Sequence, residues 1–379
     1  MFQYFPTNYV WNLSVNIAMN TGGQIGEIDQ ICKPLVEVSR QGDDAGTEMF
    51  YASWVSKADD LVEYANDDEA AGHRWTAAGK LARASMYYLV AERMQHVHYE
   101  PRKEAYAKAM ATFRRAVELG DENCEFVEVP YGDSAFPALF VRGTGEGPRP
   151  AMVYVQGLDS MKEMVYRVGI AQQLARRGIS TLIVDQPGTG EALRYRGLHG
   201  VYDAEQWGTP AYEALAERDD VDPSRVGVMG WSLGGYYAPR VAAYEPRYSL
   251  CAVWGANYDW GELQKRRLAN EGDRPVPHYW EHVQWVFDKP SLEEFMAWAP
   301  RMNLREAVTR IRVPFLVTHG ENDGQIPMEY AVAQFEGAVN SPDKEFKVFT
   351  ADEGGASHAG ADNEAVPVAY LADWVAEHL

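Results

Sequence analysis

Ser232, Asp323 and His358 are residues whose types and order along the chain suit nucleophilic attack on a carbonyl. A serine hydroxyl is too weakly acidic to attack unaided; it needs a base, and the base needs an orienting carboxylate. Ser232 lies in Gly230-Trp231-Ser232-Leu233-Gly234-Gly235, entered directly from the apolar run Val226-Gly227-Val228-Met229 and followed by a helical run to Tyr244. The pattern reads as a strand that turns sharply at its serine and continues into a helix. Glycines two before and two after the serine remove Cβ atoms that would collide across such a turn.

The partners must come from loops after later strands. Asp323 sits in Thr318-His319-Gly320-Glu321-Asn322-Asp323-Gly324, after an apolar run at 315–317. His358 sits in the glycine-rich stretch 352–360, after a run at 346–349. Glu321 is a rival acid two residues earlier, but an acid turn of this kind ends in Asp shortly before the next helix. Of the nine histidines, His319 reads as a structural strand-end residue, His378 is terminal, and His199 precedes the acid. His73, His96, His98, His278 and His282 fall in helical or lid segments, which leaves His358. A developing oxyanion needs donors. The backbone N–H of Leu233 supplies one, and Leu158 N–H, in the loop Gln156-Gly157-Leu158-Asp159-Ser160, is the choice for the second. Asp185-Gln186-Pro187-Gly188-Thr189-Gly190 superficially resembles a phosphate loop, but it lacks the Lys-Ser/Thr ending and reads as the turn after a strand.

These residues need a scaffold, and the hydropathy pattern supplies one. Short apolar runs at 125–129, 138–141, 151–155, 181–184, 226–229, 250–254, 315–317 and 346–349 predict eight strands, the first two joined as a hairpin around Tyr131-Gly132-Asp133. Alternation with helices such as 167–177 implies a mostly parallel sheet covered on both faces. With the elbow and the acid and base loops in order, the fold class is α/β, of the α/β-hydrolase type. Residues 1–120 are helical throughout, with continuous helices expected over 70–89 and 106–119, and form a separate lid or dimerisation domain; 121–379 form the catalytic domain. The stretch 257–308 is too long for a simple crossover and adds to the lid.

A formal charge of −20 argues against nucleic acid and anionic membrane surfaces as partners. Three widely spaced cysteines show neither a disulfide framework nor metal spacing, which fits a cytoplasmic protein without a metal. Cys251 reads as a small core residue. Asn8, Asn12, Asn16 and Asn20 interrupt the uncharged N-terminus too often for a membrane span or signal core, so that segment is expected to be buried or interface-forming. No cofactor is expected, and the partner is a small-molecule substrate.

The helical N-terminal region, the loop Gly157-Leu158-Asp159-Ser160-Met161-Lys162-Glu163, the elbow followed by Glu245-Pro246-Arg247, and the loops at 323 and 358 occur together here. In that combination the chain resembles the α/β-hydrolases that include 2,6-dihydroxypseudooxynicotine hydrolase and the fungal polyketide-shortening hydrolases of pigment synthesis. The resemblance implies cleavage of a carbon–carbon bond beside a ketone, and a homodimer paired through the helical domain. It also implies a further carboxylate after the sixth strand, where this chain offers Asp259 and Glu262. An additional acid would protonate the carbon leaving group. Tyr154, Tyr258, Trp260 and His278, with Tyr279, Trp280 and Trp285, are candidates for an aromatic pocket, although aromatic residues in a lid more often pack. The same triad serves an esterase or lactonase equally well. A silent binding protein on this fold is disfavoured because all three triad residues are present in order.

Overall fold

The structure, a computed structural model, describes residues 1–379 and divides into two compact units. One comprises Met1–Cys124 together with Arg274–His282; the other comprises Glu125–Asp273 and Val283–Leu379. Of the expected insertion at 257–308, therefore, the nine residues from Arg274 to His282 group with the helical unit and the rest with the sheet.

The helical unit is built from α1 (Tyr9–Asn20), α2 (Ile25–Cys32), α3 (Thr47–Ala70), α4 (Arg74–Arg93) and α5 (Pro101–Gly120). The asparagines of the N-terminal segment are its fasteners. Asn8 caps α1 by accepting the Trp11 N–H, and the Asn12 amide bonds both backbone groups of Phe5. Asn16 does the same for Phe2. Side-chain amides thus satisfy backbone groups of the N-terminal coil, of which Phe5 is buried. The helix expected over 70–89 is broken. Gly72 adopts φ +80°, and the N–H groups of Gly72 and His73 turn back onto Glu69 and Asp68, closing α3 before α4 begins. A glycine in the left-handed region with two back-bonded amides is a helix stop that good helix formers on either side do not override.

The second unit is an eight-stranded sheet of β1 (Glu125–Tyr131), β2 (Ser134–Val141), β3 (Arg149–Val155), β4 (Ser180–Val184), β5 (Val221–Trp231), β6 (Leu250–Trp254), β7 (Phe315–Gly320) and β8 (Lys344–Phe349). Their order is β1-β2-β4-β3-β5-β6-β7-β8, antiparallel at β1–β2 and β2–β4 and parallel elsewhere. Every residue of β4 and β6 is buried, whichever side it points to, so both faces of the central sheet are covered; β8 at the edge is mostly half-buried. Helices α6 (Lys162–Val168), α7 (Ile170–Arg176), α8 (Gly190–Arg194), α9 (Glu205–Ala216) and α10 (Gly234–Tyr244) follow β3, β4 and β5. Then come α11 (Trp260–Leu268), α12 (Tyr279–Val286), α13 (Leu292–Trp298), α14 (Met328–Gly337) and α15 (Ala365–His378).

The β5–α10 turn is the tightest joint in the sheet unit. Ser232 has φ +55°, a region that costs a non-glycine residue of order 1–3 kcal/mol. A Cβ on Gly234 would lie 2.7 Å from the Val155 carbonyl oxygen, one on Gly230 would collide with Val155, and one on Gly235 with the Gly255 carbonyl. Glycine at these positions lets α10 pack directly on β5 and β6 with backbone touching backbone. Gly235→Ala is therefore expected to lower stability by about 1–3 kcal/mol, because the backbone it meets cannot yield as a side chain can; thermal or urea unfolding measures it, and an unchanged midpoint would contradict this packing.

Candidate active site

The serine, acid and base converge. His358 Nε2 is 2.8 Å from Ser232 Oγ, and its Nδ1 lies 2.8 Å and 3.0 Å from the two carboxylate oxygens of Asp323. Ser232 is held by its own N–H, which donates to Trp254 O on β6 at 2.9 Å. Asp323, fully enclosed, also accepts the N–H groups of Gln325 and Ile326. Burial alone would raise its carboxyl, but the His358 charge, the His358 hydrogen bond and the backbone donors outweigh it and bring it down to about 2. The carboxylate stays ionised and fixes the imidazole with Nδ1–H toward it, which leaves Nε2 as an acceptor facing the Ser232 hydroxyl. Glu321, the rival acid, is exposed and bonds the Ala351 N–H instead.

The loop carrying His358 is shaped by Asp362, whose carboxylate accepts the N–H groups of Gly355, Ala356 and Ser357. Beside the triad, His319 is buried and its imidazole is held neutral by that burial. Its Nδ1 accepts the Ala256 N–H, so its Nε2–H donates to Ile326 O. It ties the loop after β6 to the one carrying Asp323, a structural role as expected from the sequence.

Leu233 is the first residue after the serine and immediately precedes α10, with its N–H donating to no protein acceptor. Leu158 N–H is likewise unengaged. A Cβ on Gly157 would stand 3.2 Å from Ser232 Cβ, so the loop after β3 passes directly against the serine. Ser160 Oγ braces that loop, accepting the Gly157 N–H at 2.8 Å and the Trp231 indole N–H at 2.9 Å. A serine bonded to an imidazole, the unpaired Leu233 amide next to it and the unpaired Leu158 amide in the loop against it are the arrangement an acyl-transfer centre uses.

Other candidates fall elsewhere. Asp259 caps α11 by accepting the Glu262 N–H at 3.0 Å and pairs with Arg305 at 2.7 Å, so its carboxylate is engaged on both oxygens. Glu262 is 41% exposed and pairs with Lys265. Asp259 is thus held by a helix cap and an ion pair, whereas Glu262 is a surface residue. Tyr154 is fully buried in β3 with its ring against Trp231, and Trp260 is buried and packs edge-on and tilted against Phe295 and Phe287. His278 belongs to the helical unit, where its N–H bonds Asp44 and its ring lies 5.1 Å from His96. Tyr258 remains half-buried in the loop after β6. The sequence reading passed over Lys162, Glu163, Asp185 and Glu191, which form a buried charge cluster behind the loop after β3.

A strand-turn-serine-helix elbow on a sheet of this order, with acid and base on the loops after β7 and β8, defines an α/β-hydrolase. Family profiles agree: the prolyl oligopeptidase family matches residues 166–379 and the FrsA-like esterases match 53–259. Each spans more than half of the chain, which belongs to this group of α/β-hydrolase enzymes. Among curated proteins, 2,6-dihydropseudooxynicotine hydrolase of Paenarthrobacter nicotinovorans is 27% identical over 281 residues, covering 73% of this chain and 71% of that protein. Hydrolase LUC6 of a Fusarium species is 27% identical over 354 residues, covering 84% and 83%. The crystal structure of 2,6-dihydroxy-pseudo-oxynicotine hydrolase shares the fold, with TM-score 0.78 at 23% identity over 96% of this chain and 95% of that one. No helix is long and apolar enough to cross a membrane.

Asp323→Asn is expected to lower turnover of a 4-nitrophenyl ester reporter by about 10³–10⁴-fold with KM little changed, since an amide presents the wrong partner to Nδ1; a loss under tenfold would contradict the assignment. Because the folded Asp323 carboxyl lies below its ordinary value, it contributes stability above about pH 4 that is lost as pH falls through about 2. The stability gap between wild type and Asp323→Asn, on the order of 2 kcal/mol at neutral pH, is expected to close over that window in acid-unfolding measurements.

Proposed function

We propose that the protein is a serine-dependent hydrolase that cleaves a carbon–carbon bond next to a ketone in an aromatic or polyketide-like small molecule, through an acyl-enzyme. The observation that carries the nucleophilic part is the Asp323–His358–Ser232 hydrogen-bonded line beside two unpaired backbone N–H groups. Support for the bond and substrate class comes from the relatives: a dihydropseudooxynicotine hydrolase, and fungal hydrolases that include 20-hydroxy-prefusarin hydrolase FUS2 of Gibberella moniliformis.

In this reading Ser232 Oγ adds to the ketone carbon while its proton passes to His358 Nε2. The oxyanion rests on the N–H groups of Leu233 and Leu158. Collapse breaks the carbon–carbon bond, and the electron pair leaves on carbon as an enolate or on an electron-rich ring. That carbon takes its proton from His358, which received it from Ser232. Water, deprotonated by His358, then releases the acid from Ser232.

Hydrolysis of an ester or lactone is the second reading, favoured by the match to FrsA-like esterases. Pairing of two copies through the helical unit and a cytoplasmic location complete the proposal; three free cysteines fit that compartment. A matched pair of substrates, an aryl β-diketone and its ester analogue, separates the readings. Turnover of the diketone at a kcat/KM within tenfold of the ester is expected, and ester-only turnover would sink the carbon–carbon assignment.

A further inference from the structure

Both ends of the loop after β3 are fastened to one place, the turn after β4. At the start, Gln156 and Gln186 exchange hydrogen bonds: the Gln156 N–H donates to Gln186 Oε1 at 3.0 Å, and Gln186 Nε2 donates to Gln156 O at 3.1 Å. At the end, Lys162 donates its backbone N–H to Asp185 Oδ1 and its ammonium to Asp185 Oδ2, both at 2.9 Å. The ammonium also reaches Glu163 at 2.6 Å and Glu191 at 2.5 Å. Lys162, Glu163 and Asp185 are at most 1% exposed and Glu191 is 12% exposed. Asp185 fits beneath Gly190, where a Cβ would strike its carboxylate, and it also accepts the Glu191 N–H. That contact requires glycine at position 190.

Oxygens of the three carboxylates lie within 4.8 Å of one another, an arrangement of the kind that holds a metal ion. Here the chain supplies its own cation. Leu158, whose N–H is the second oxyanion donor in the reading above, lies between the two fastenings. We propose that Lys162, caged by Glu163, Asp185 and Glu191, is a positioning residue that holds the Leu158 N–H against the oxyanion, with Glu163 carrying a proton that limits the charge of the cage. This inference rests on the acyl-transfer reading of Ser232.

The charge balance requires that proton. One ammonium against three carboxylates would bury two uncompensated negative charges, which the interior does not tolerate. The groups that act most strongly on Glu163 are Lys162, Asp185 and Glu191; Tyr195 senses its charge, and Arg167, one turn on along α6, and Arg194, beside Tyr195, are the further charged groups of the neighbouring elements. Burial pushes the Glu163 carboxyl up to about 7, against the pull of the Lys162 ammonium. Its Oε2 is enclosed without a hydrogen-bond partner, an arrangement a neutral carboxyl tolerates better than an anion. The proton is therefore held below neutral pH and lost above it, which adds a negative charge to the cage and loosens its hold.

The test is inactivation by an alkyl fluorophosphonate, whose phosphonyl oxygen occupies the oxyanion position, resolved into KI and kinact. Lys162→Met is expected to lower kinact at least tenfold with KI within twofold of the wild type. Wild-type kinact is expected to fall severalfold between pH 7 and pH 9, whereas Glu163→Gln, which cannot ionise, keeps a flat profile over that range. A folded Lys162→Met with a lower melting temperature but wild-type kinact would show a purely structural clasp and overturn the proposal. Should Lys162→Met not fold, the decision falls to Glu163→Gln: an alkaline decline equal to that of the wild type overturns it. Wild-type protein that takes no label at Ser232 overturns the acyl-transfer reading itself, and this inference with it.

Discussion

The reversal of the chain at Ser232 is the constraint on which the sheet unit depends. A strand that ends in a residue at φ +55° and passes at once into a helix must bring that helix within backbone contact of β3 and β6. The glycines at 230, 234 and 235 permit the contact, and the Trp254 carbonyl anchors the serine amide. The strain placed on the serine is met by the packing of α10. In exchange the hydroxyl projects from the end of the strand, and the next amide, that of Leu233, is left without an intrahelical partner. The projecting serine hydroxyl and the unpaired Leu233 amide are therefore consequences of one turn.

The other residues at the site are held in place by loops braced with their own polar side chains. Asp362 folds the His358 loop by taking three backbone amides, Asp323 takes two, and neutral His319 ties the loop after β6 to the one after β7. The loop after β3 is held by paired glutamines and by a lysine set among three acids. Each device spends a buried polar group on geometry, and together they leave Leu233 and Leu158 as unpaired donors beside the serine.

The eight strands and the convergence of Ser232, Asp323 and His358 were legible in the amino-acid sequence because both rest on local signals: apolar runs of strand length, and candidate residues at strand ends in a required order. The break at Gly72 was also local, yet the helix formers around it masked it. What escaped was set by partners distant in the chain. Asp259 pairs with Arg305, and Trp260 packs against Phe287 and Phe295. His278, 46 residues after Ser232, joins the helical unit instead of the sheet unit. The cage around Lys162 draws on three separate stretches, and the one visible trace of it was a glycine-rich turn with no phosphate-binding lysine.

The central claim is that Ser232 attacks the substrate carbonyl and carries the acyl group. Quenching a single turnover of the aryl β-diketone in acid, then mapping the peptides by mass, tests it directly. The account predicts a transient acyl adduct on the peptide containing Ser232, absent from Ser232→Ala. Product formation with no adduct on that peptide, or an adduct on another residue, would contradict it.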